Sequence, residues 1–164
     1  MKAKPHSKDL RKGRRSIQGQ YYHITKCCNR RKSFLIPDLN NYSTANEIFK
    51  TISSSITWLN HKEYINCRNY IMMPDHIHIV FQLGKIRTLG QVMHSFSSFT
   101  SNKINKILKR SGHLWQDGFY DHAIRNDAAY IRHIKYIEEN PIKAGFVKKS
   151  KDWPFSKIEH WMDE

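Results

Sequence analysis

A pair of histidines in a short β-branched run constrains the fold of this chain more than any other feature. His76 and His78 stand two residues apart in the segment PDHIHIV, residues 74–80, which is typical of a β-strand. Side chains alternate faces along a strand, so both imidazoles are expected on one face and the isoleucines on the other. Two imidazoles on one rigid face can hold a metal ion, although two hydrogen-bonded, partly buried histidines would have the same spacing. Further metal ligands would have to come from another element.

A second segment, residues 126–141, predicts a helix. Asn126 suits the N-cap, and Pro141 is expected to stop the helix. At about 100° per residue, an apolar stripe is formed by Tyr130, Ile131, Ile134 and Ile137. The neighbouring face carries His133, Tyr136 and Asn140. An ordinary amphipathic helix with a boundary tyrosine would also show this pattern, so the combination with the two-histidine strand is what indicates a site.

Periodicity and turn residues predict the other elements. Strands are expected at residues 19–25, 64–72 and 119–124, in addition to the histidine strand. Two capping boxes mark helix starts, Thr44 with Glu47 and Thr88 with Gln91. A short helix is expected to open at Pro154, with Phe155, Ile158 and Met162 on one face.

The order strand, helix, strand, strand, helix, strand predicts an α+β fold of the ferredoxin-like βαββαβ type. In that arrangement two helices cover one face of an antiparallel sheet. Ile77, Ile79 and Phe81 would then pack beneath the helices, and the two histidines would emerge on the other face. The tyrosine helix can lie across that second face. Residues 19–164 are expected to form one domain.

Charge favours a polyanionic partner. The chain has 28 Lys and Arg against 14 Asp and Glu, a net charge of +14. Charge alone does not separate DNA from RNA or from an anionic membrane, but no long apolar span or signal-peptide pattern is present, so a membrane is the weakest candidate. Three cysteines without disulfide or zinc spacing favour reduced thiols in the cytoplasm.

Residues 1–18 are predicted to form a basic, flexible arm with almost no apolar periodicity. The arm is either a solvated tail or a segment that orders on phosphates. The candidate DNA contacts in it are Lys8, Arg11, Lys12, Arg14 and Arg15.

The motifs together resemble a known family. They are MPDHIHIV at residues 73–80, LWQDGFYDHAIR at 114–125, YIEENPIKAGFV at 136–147 and DWPFS at 152–156. These stretches resemble the single-tyrosine HUH nucleases, named for a His-hydrophobic-His motif and a helix-borne tyrosine, and within them the REP-associated tyrosine transposases.

The resemblance implies a mechanism and a substrate. It implies that Tyr136 attacks DNA to leave a 5′-phosphotyrosine and a free 3′-hydroxyl, with a divalent Mg²⁺ or Mn²⁺ held by His76 and His78. It places a third ligand at Asn140, where insertion-sequence relatives carry a glutamine. It implies a bacterial, cytoplasmic monomer acting on hairpin DNA with a short single-stranded 5′ element.

Two questions stay open from the residues themselves. His133 could assist the tyrosine, contact DNA or pack, and His122 is equally ambiguous. Two other classes of protein also fit: a non-catalytic DNA- or RNA-binding protein, and a metal-dependent nuclease that activates water and tolerates the loss of the Tyr136 hydroxyl.

Overall fold

The centre of the molecule is a five-stranded antiparallel sheet, seen in a computed structural model that describes residues 16–160. The strands are β1 (Tyr21–Cys27), β2 (Ile65–Met72), β3 (His76–Leu83), β4 (Tyr120–Ile124) and β5 (Ser156–Lys157). Their order across the sheet is β4-β1-β3-β2-β5. The first four give the ferredoxin-like arrangement that the element order predicts, so the predicted fold is confirmed.

Three α-helices lie in the described part of the chain: α1 (Ser43–His61), α2 (Leu89–Ile107) and α3 (Asp127–Lys143). Short 3₁₀ turns follow β1 at Asn29–Arg31 and α3 at Ser150–Asp152. None of the helices between residues 16 and 160 has the length and apolar character needed to cross a membrane.

One face of the sheet is covered by α1 and α2. Ile24 pairs with Ile79, and Ile79 with Tyr70, so these three side chains share that face. The Tyr70 hydroxyl donates to Ser53 Oγ of α1 at 3.0 Å. The α2 helix packs against α1 on the same side. The apolar core therefore lies between the sheet and these two helices.

The opposite face, here called the site face, is covered by α3. His23, Val80 and Asn69 are cross-strand neighbours on it. The Asn69 amide donates to the hydroxyl of Tyr130 in α3 at 2.8 Å, which ties the start of the helix to the sheet. The predicted placement of the tyrosine helix is therefore correct.

The two predicted capping boxes have different outcomes. Thr88 accepts from the Gln91 N–H at 3.2 Å while the Gln91 side chain accepts from the Thr88 N–H at 3.0 Å, so this box is confirmed. The box at Thr44 is wrong, because α1 already begins at Ser43 and its N-cap, Tyr42, makes no side-chain capping bond. Asn41 Oδ1 accepts from the Ser43 N–H at 3.0 Å instead.

The tyrosine helix departs from expectation at two positions. Pro141 lies inside α3, and the helix ends two residues later at Lys143, since a proline removes one hydrogen bond without forcing the last turn to unwind. Ile131 is 59% exposed and does not belong to the buried stripe, which consists of Tyr130, Ile134, Ile137 and Pro141.

The helix expected at Pro154 does not form. Trp153 Nε1 donates to the Met72 carbonyl at 3.0 Å, and the Met72 N–H donates to the Phe155 carbonyl at 2.8 Å. Phe155 is fully buried, and Ser156–Lys157 pairs with β2. The segment is extended because it satisfies the otherwise open backbone groups of the β2 edge. Met162 lies outside the described residues.

Candidate active site

The two histidines of β3 lie side by side on the site face, as their spacing predicts. The ring centroids of His76 and His78 are 4.8 Å apart. His78 is only 4% exposed, because α3 covers it. The rigid strand fixes both rings, while the helix decides how much solvent reaches them.

The α3 helix brings two of its predicted residues to this pair. The Tyr136 ring lies 5.7 Å from the His78 ring, centroid to centroid. Asn140, one turn later, places its amide Nδ2 3.3 Å from His78 Nε2. Tyr136 is 47% exposed, so a large substrate can reach it, while its ring packs against His78 and His23.

A carboxylate orients His76. Asp75 Oδ1 lies 2.7 Å from His76 Nδ1, and Asp75 Oδ2 lies 3.0 Å from Arg31 Nε. The bond to Asp75 places the His76 proton on Nδ1, so the Nε2 lone pair is available. Burial lowers the pKa of His76 and so favours the neutral ring. Asp75 acts in the opposite direction but with the smaller effect. Arg31 has no signal in the sequence that would single it out.

The backbone at Arg31 is strained. Arg30 and Arg31 have φ values of +54° and +56°, a left-handed conformation that non-glycine residues rarely adopt. This turn aims the Arg31 side chain back at the end of β1, where its Nη1 donates to Cys27 Sγ at 2.8 Å. The strained turn thus supports the Asp75 carboxylate that holds His76.

His78 is held from behind by β1. His78 Nδ1 lies 2.9 Å from His23 Nε2 and 3.0 Å from Thr25 Oγ1. Burial lowers the pKa of His78 to about 2, and the neighbouring His23 and His76 act in the same direction. His78 is therefore neutral at pH 7, which is the protonation state that a metal ligand requires.

His133 and His122 lie at the outer end of the cluster. Their ring centroids are 4.6 Å apart, and His133 Nδ1 lies 2.8 Å from His23 Nδ1. Burial, followed by His122 and Arg132, lowers the pKa of His133. Because His23 engages Nδ1, His133 has only Nε2 left for a proton transfer or a DNA contact.

The donor set fits a divalent metal ion. His76 and His78 present Nε2 atoms, and a 180° rotation of the Asn140 amide places Oδ1 where Nδ2 now lies. In octahedral coordination with bonds of about 2.1 Å, adjacent donors are about 3 Å apart, close to the separation of Asn140 and His78. Between residues 16 and 160 no group of three or more His, Cys, Asp or Glu is arranged to hold a metal.

Two other groups bear on the predicted site. Lys143 Nζ lies 5.5 Å from the centroid of the Tyr136 ring and 3.2 Å from Glu139 Oε2, which puts a cation beside the phenol. The five basic residues predicted to contact DNA, Lys8 to Arg15, lie outside the described residues.

Comparison with known proteins identifies the family. The model of the IS200-like transposases matches residues 16–140, a span that contains β1, both β3 histidines, Tyr136 and Asn140. The chain belongs to the family of IS200-like transposases. The resemblance inferred from the motifs is confirmed, and the family is one of enzymes.

Two relatives of this transposase carry more specific names. A REP-associated tyrosine transposase from Escherichia coli K12 is 37% identical over 93 residues, which cover 53% of this chain and 50% of that protein. The chain thus aligns with half the length of that relative. A Haemophilus influenzae protein provisionally given the same name is 28% identical over 157 residues, covering 84% of this chain and 78% of that one.

Solved structures share the fold. A REP-associated tyrosine transposase bound to a REP hairpin superposes with a TM-score of 0.69 at 23% identity, over 95% of this chain and 82% of that one. A provisionally assigned transposase from Deinococcus radiodurans R1 gives a TM-score of 0.52 at 13% identity, over 85% and 97% of the two chains. At these identities the matches establish the architecture.

Proposed function

We propose that this transposase is a metal-dependent single-stranded DNA endonuclease and strand transferase, and that it acts on palindromic hairpin elements. The observation that carries the proposal is the placement of an exposed tyrosine on α3 over two neutral histidines of β3, with the Asn140 amide beside them. The names of the relatives and the hairpin bound by the structural neighbour support the choice of substrate.

Tyr136 is the nucleophile. Its hydroxyl oxygen attacks the scissile phosphorus in line with the 3′-oxygen, forming a 5′-phosphotyrosine bond as the bond to that oxygen breaks. The phenolic proton passes to an acceptor or to solvent, and the departing 3′-oxygen takes up a proton. The phosphotyrosine keeps the energy of the broken bond, so a 3′-hydroxyl can reverse the reaction and join a strand.

His76, His78 and Asn140 would hold a divalent Mg²⁺ or Mn²⁺. Bound there, the ion would polarise the scissile phosphate and stabilise the charge that develops on its oxygens. Burial keeps both histidines neutral for this role, His23 of β1 adds to the effect at His78, and Asp75 fixes the orientation of His76.

Lys143 assists by its charge. Its ammonium group beside the Tyr136 ring attracts the scissile phosphate toward the nucleophile. Glu139 holds the lysine in this position from one turn earlier on the helix.

The active unit is a monomer. Tyr136 already lies over the histidines of its own chain, so no exchange of helices between subunits is needed to assemble the site. The net charge of +14 draws the single-stranded or hairpin DNA to the protein.

A denaturing gel tests the nucleophile. The protein is incubated with Mn²⁺ or Mg²⁺ and an end-labelled hairpin oligonucleotide, and both cleavage and a slow-migrating covalent adduct are expected. The Tyr136→Phe variant keeps the ring and should lose both products by at least about 1,000-fold, because only the attacking oxygen is removed. Binding of the oligonucleotide should be nearly unchanged.

Tyr64→Phe is the matched control, since the Tyr64 ring packs against Trp58 of α1 rather than against α3. Its cleavage should equal that of the wild type. Near-normal cleavage by Tyr136→Phe would mean that water or another residue attacks. If the wild type binds the oligonucleotide but does not cut it, the protein is a non-catalytic DNA-binding protein.

Metal titrations test the ligands in the same assay. His76→Ala and His78→Ala should each reduce metal-dependent cleavage by about 100-fold or more, and Asn140→Ala by about 10-fold, because water can replace one amide ligand. His94→Ala, on α2 at the opposite face, is the control histidine. An unchanged metal dependence in the doubly substituted His76 and His78 variant would rule out this site.

A further inference from the structure

His23 occupies the middle of the histidine cluster, and the sequence gives it no role. It lies on β1, is 8% exposed, and contacts one histidine through each ring nitrogen. Its Nε2 lies 2.9 Å from His78 Nδ1, and its Nδ1 lies 2.8 Å from His133 Nδ1. A three-histidine chain therefore runs from the sheet to the helix that carries Tyr136.

Of its two hydrogen bonds, His23 donates one and accepts the other, so both bonds point the same way along the histidine chain. The His23 ring is buried, and each of its nitrogens faces a nitrogen of another imidazole, so the ring is neutral and carries a single N–H. A ring with one N–H donates through one nitrogen and accepts through the other. The proton position on His78 therefore fixes the proton position on His133.

Only one direction leaves His78 able to bind a metal. If His78 Nδ1–H donates to His23 Nε2, then His23 Nδ1–H donates to His133 Nδ1, and the His78 Nε2 lone pair is free. In the reverse direction Nε2 of His78 carries the proton and cannot ligate.

The surroundings favour the metal-competent direction. Thr25 Oγ1, at 3.0 Å from His78 Nδ1, can accept from that N–H together with His23. In the reverse direction His23 and Thr25 would both donate to the one lone pair of Nδ1. The Asn140 amide nitrogen faces His78 Nε2 at 3.3 Å, which also suits a lone pair on Nε2.

We propose that His23 is a positioning residue that holds His78 in its Nδ1–H tautomer and so keeps Nε2 of His78 available as a metal ligand, with His133 as the terminal acceptor of the chain. The inference rests on the proposed function, because it deepens the role of the same metal site. The tautomer of His78 is thereby coupled to that of His133 on α3. When Nε2 of His78 carries the lone pair, the proton of His133 lies on its own Nε2.

Substitutions that mimic one ring nitrogen at a time test the proposal. His23→Gln can place an amide oxygen near the Nε2 position and still accept from His78. His23→Asn reaches only the Nδ1 position and keeps the His133 side, and His23→Phe keeps ring volume with neither bond. Thr25→Val removes the second acceptor and is the comparison for His23.

The primary readout is the tautomer of each histidine in the metal-free protein, measured by long-range ¹H–¹⁵N NMR of the imidazole rings. In the wild type, His78 and His23 should carry the proton on Nδ1 and His133 on Nε2. His78 should stay on Nδ1 in the Gln and Thr25→Val variants and move toward Nε2 in the Asn and Phe variants. A wild-type His78 protonated on Nε2, or no change in any His23 variant, would overturn the proposal.

The second readout is the Mg²⁺ concentration that gives half-maximal cleavage. It should rise about 10- to 100-fold in the Asn and Phe variants and by less than about 3-fold in the Gln variant, with the rate at saturating Mg²⁺ largely restored. Equal effects of Gln and Phe would contradict a hydrogen-bonding role. If the wild type cuts no DNA, the proposed function fails, whereas the tautomers still decide the role of His23.

Discussion

Four histidines from β1, β3 and α3 pack against one another in this molecule. Burial lowers the pKa of His23, His76, His78 and His133, and the inner two, His23 and His78, fall to about 3 and about 2. The chain thus buries rings that would otherwise take up protons in mild acid. This arrangement suits metal binding and makes folding sensitive to pH.

We expect the metal-free protein to lose stability as pH falls below 6.5. The folded-state pKa values of His23 and His78 lie below that of an unfolded histidine, so below pH 6.5 the unfolded chain binds protons that the folded chain does not. The slope for each ring increases toward about 1.4 kcal/mol per pH unit below pH 6.5, so the free energy of unfolding should drop by about 3 kcal/mol between pH 6.5 and pH 5. Urea titrations across this range measure it.

The His23→Gln variant is the control for that titration. It removes one of the two buried rings, so its free energy of unfolding should fall about half as steeply with pH. A wild-type stability that is flat or increases from pH 6.5 to pH 5 would show that these rings are not buried in the neutral form.

The sequence predicted the site residues that lie together on one strand or one helix, and it missed those that tertiary contacts bring to the site. His76 with His78, and Tyr136 with Asn140, follow from the period of a strand and of a helix, so the sequence places each pair correctly. His23 and Arg31 come from a distant strand and from a strained turn. His23 could have been found by pairing β1 with β3, because His23 and Thr25 share a face, but that register required the structure.

At the scale of elements, α3 sets the position of the nucleophile. Asn126 caps the helix by accepting from the Ala129 N–H at 2.8 Å, as predicted from the sequence. The helix ends at Lys143 and is followed by Gly145 with a φ of +79°, the left-handed conformation common after a helix.

Removal of the cap should destabilise the protein without altering the site. Asn126→Ala should lower the free energy of unfolding by about 1 kcal/mol, whereas Asn126→Asp, which keeps an accepting oxygen, should stay within about 0.5 kcal/mol of the wild type. Ten residues of helix, about 15 Å, separate the cap from Tyr136, so cleavage by both variants should be normal. Equal stability of the two variants in urea would show that the cap bond contributes nothing.

The elements that sequence reasoning misplaced are those decided by tertiary contacts. Residues 156–157 form a strand because the β2 edge offers backbone partners, which outweighs the tendency of Pro154 to begin a helix. The Thr44 box fails because α1 begins one residue earlier at Ser43. The four main strands were predicted to within about three residues, since runs of β-branched and aromatic residues between turn residues are a local signal.

At the scale of the whole molecule, the basic residues predicted to form an N-terminal arm are expected to take part in DNA capture. Deletion of residues 1–15 should weaken hairpin binding and reduce the slope of log affinity against log salt, because phosphate contacts are lost. Fluorescence anisotropy at several salt concentrations measures both effects.

A second hairpin with a scrambled 5′ element separates two roles of the arm. If the arginines of the arm contact guanine edges, the deletion should weaken binding of the cognate hairpin more than that of the scrambled one. Equal losses would leave the arm a non-specific tether, and no loss for either would make it dispensable.

The most direct test of the central claim is to locate the covalent bond. The DNA adduct is trapped with Mn²⁺, digested with nuclease and trypsin, and analysed by tandem mass spectrometry. Cleavage after Lys135 and Lys143 yields the peptide YIEENPIK, residues 136–143, whose only hydroxyl group is that of Tyr136. We expect the nucleotide mass on this peptide, at the tyrosine. A nucleotide attached to any other peptide, or efficient cleavage with no peptide-bound nucleotide, would contradict the mechanism.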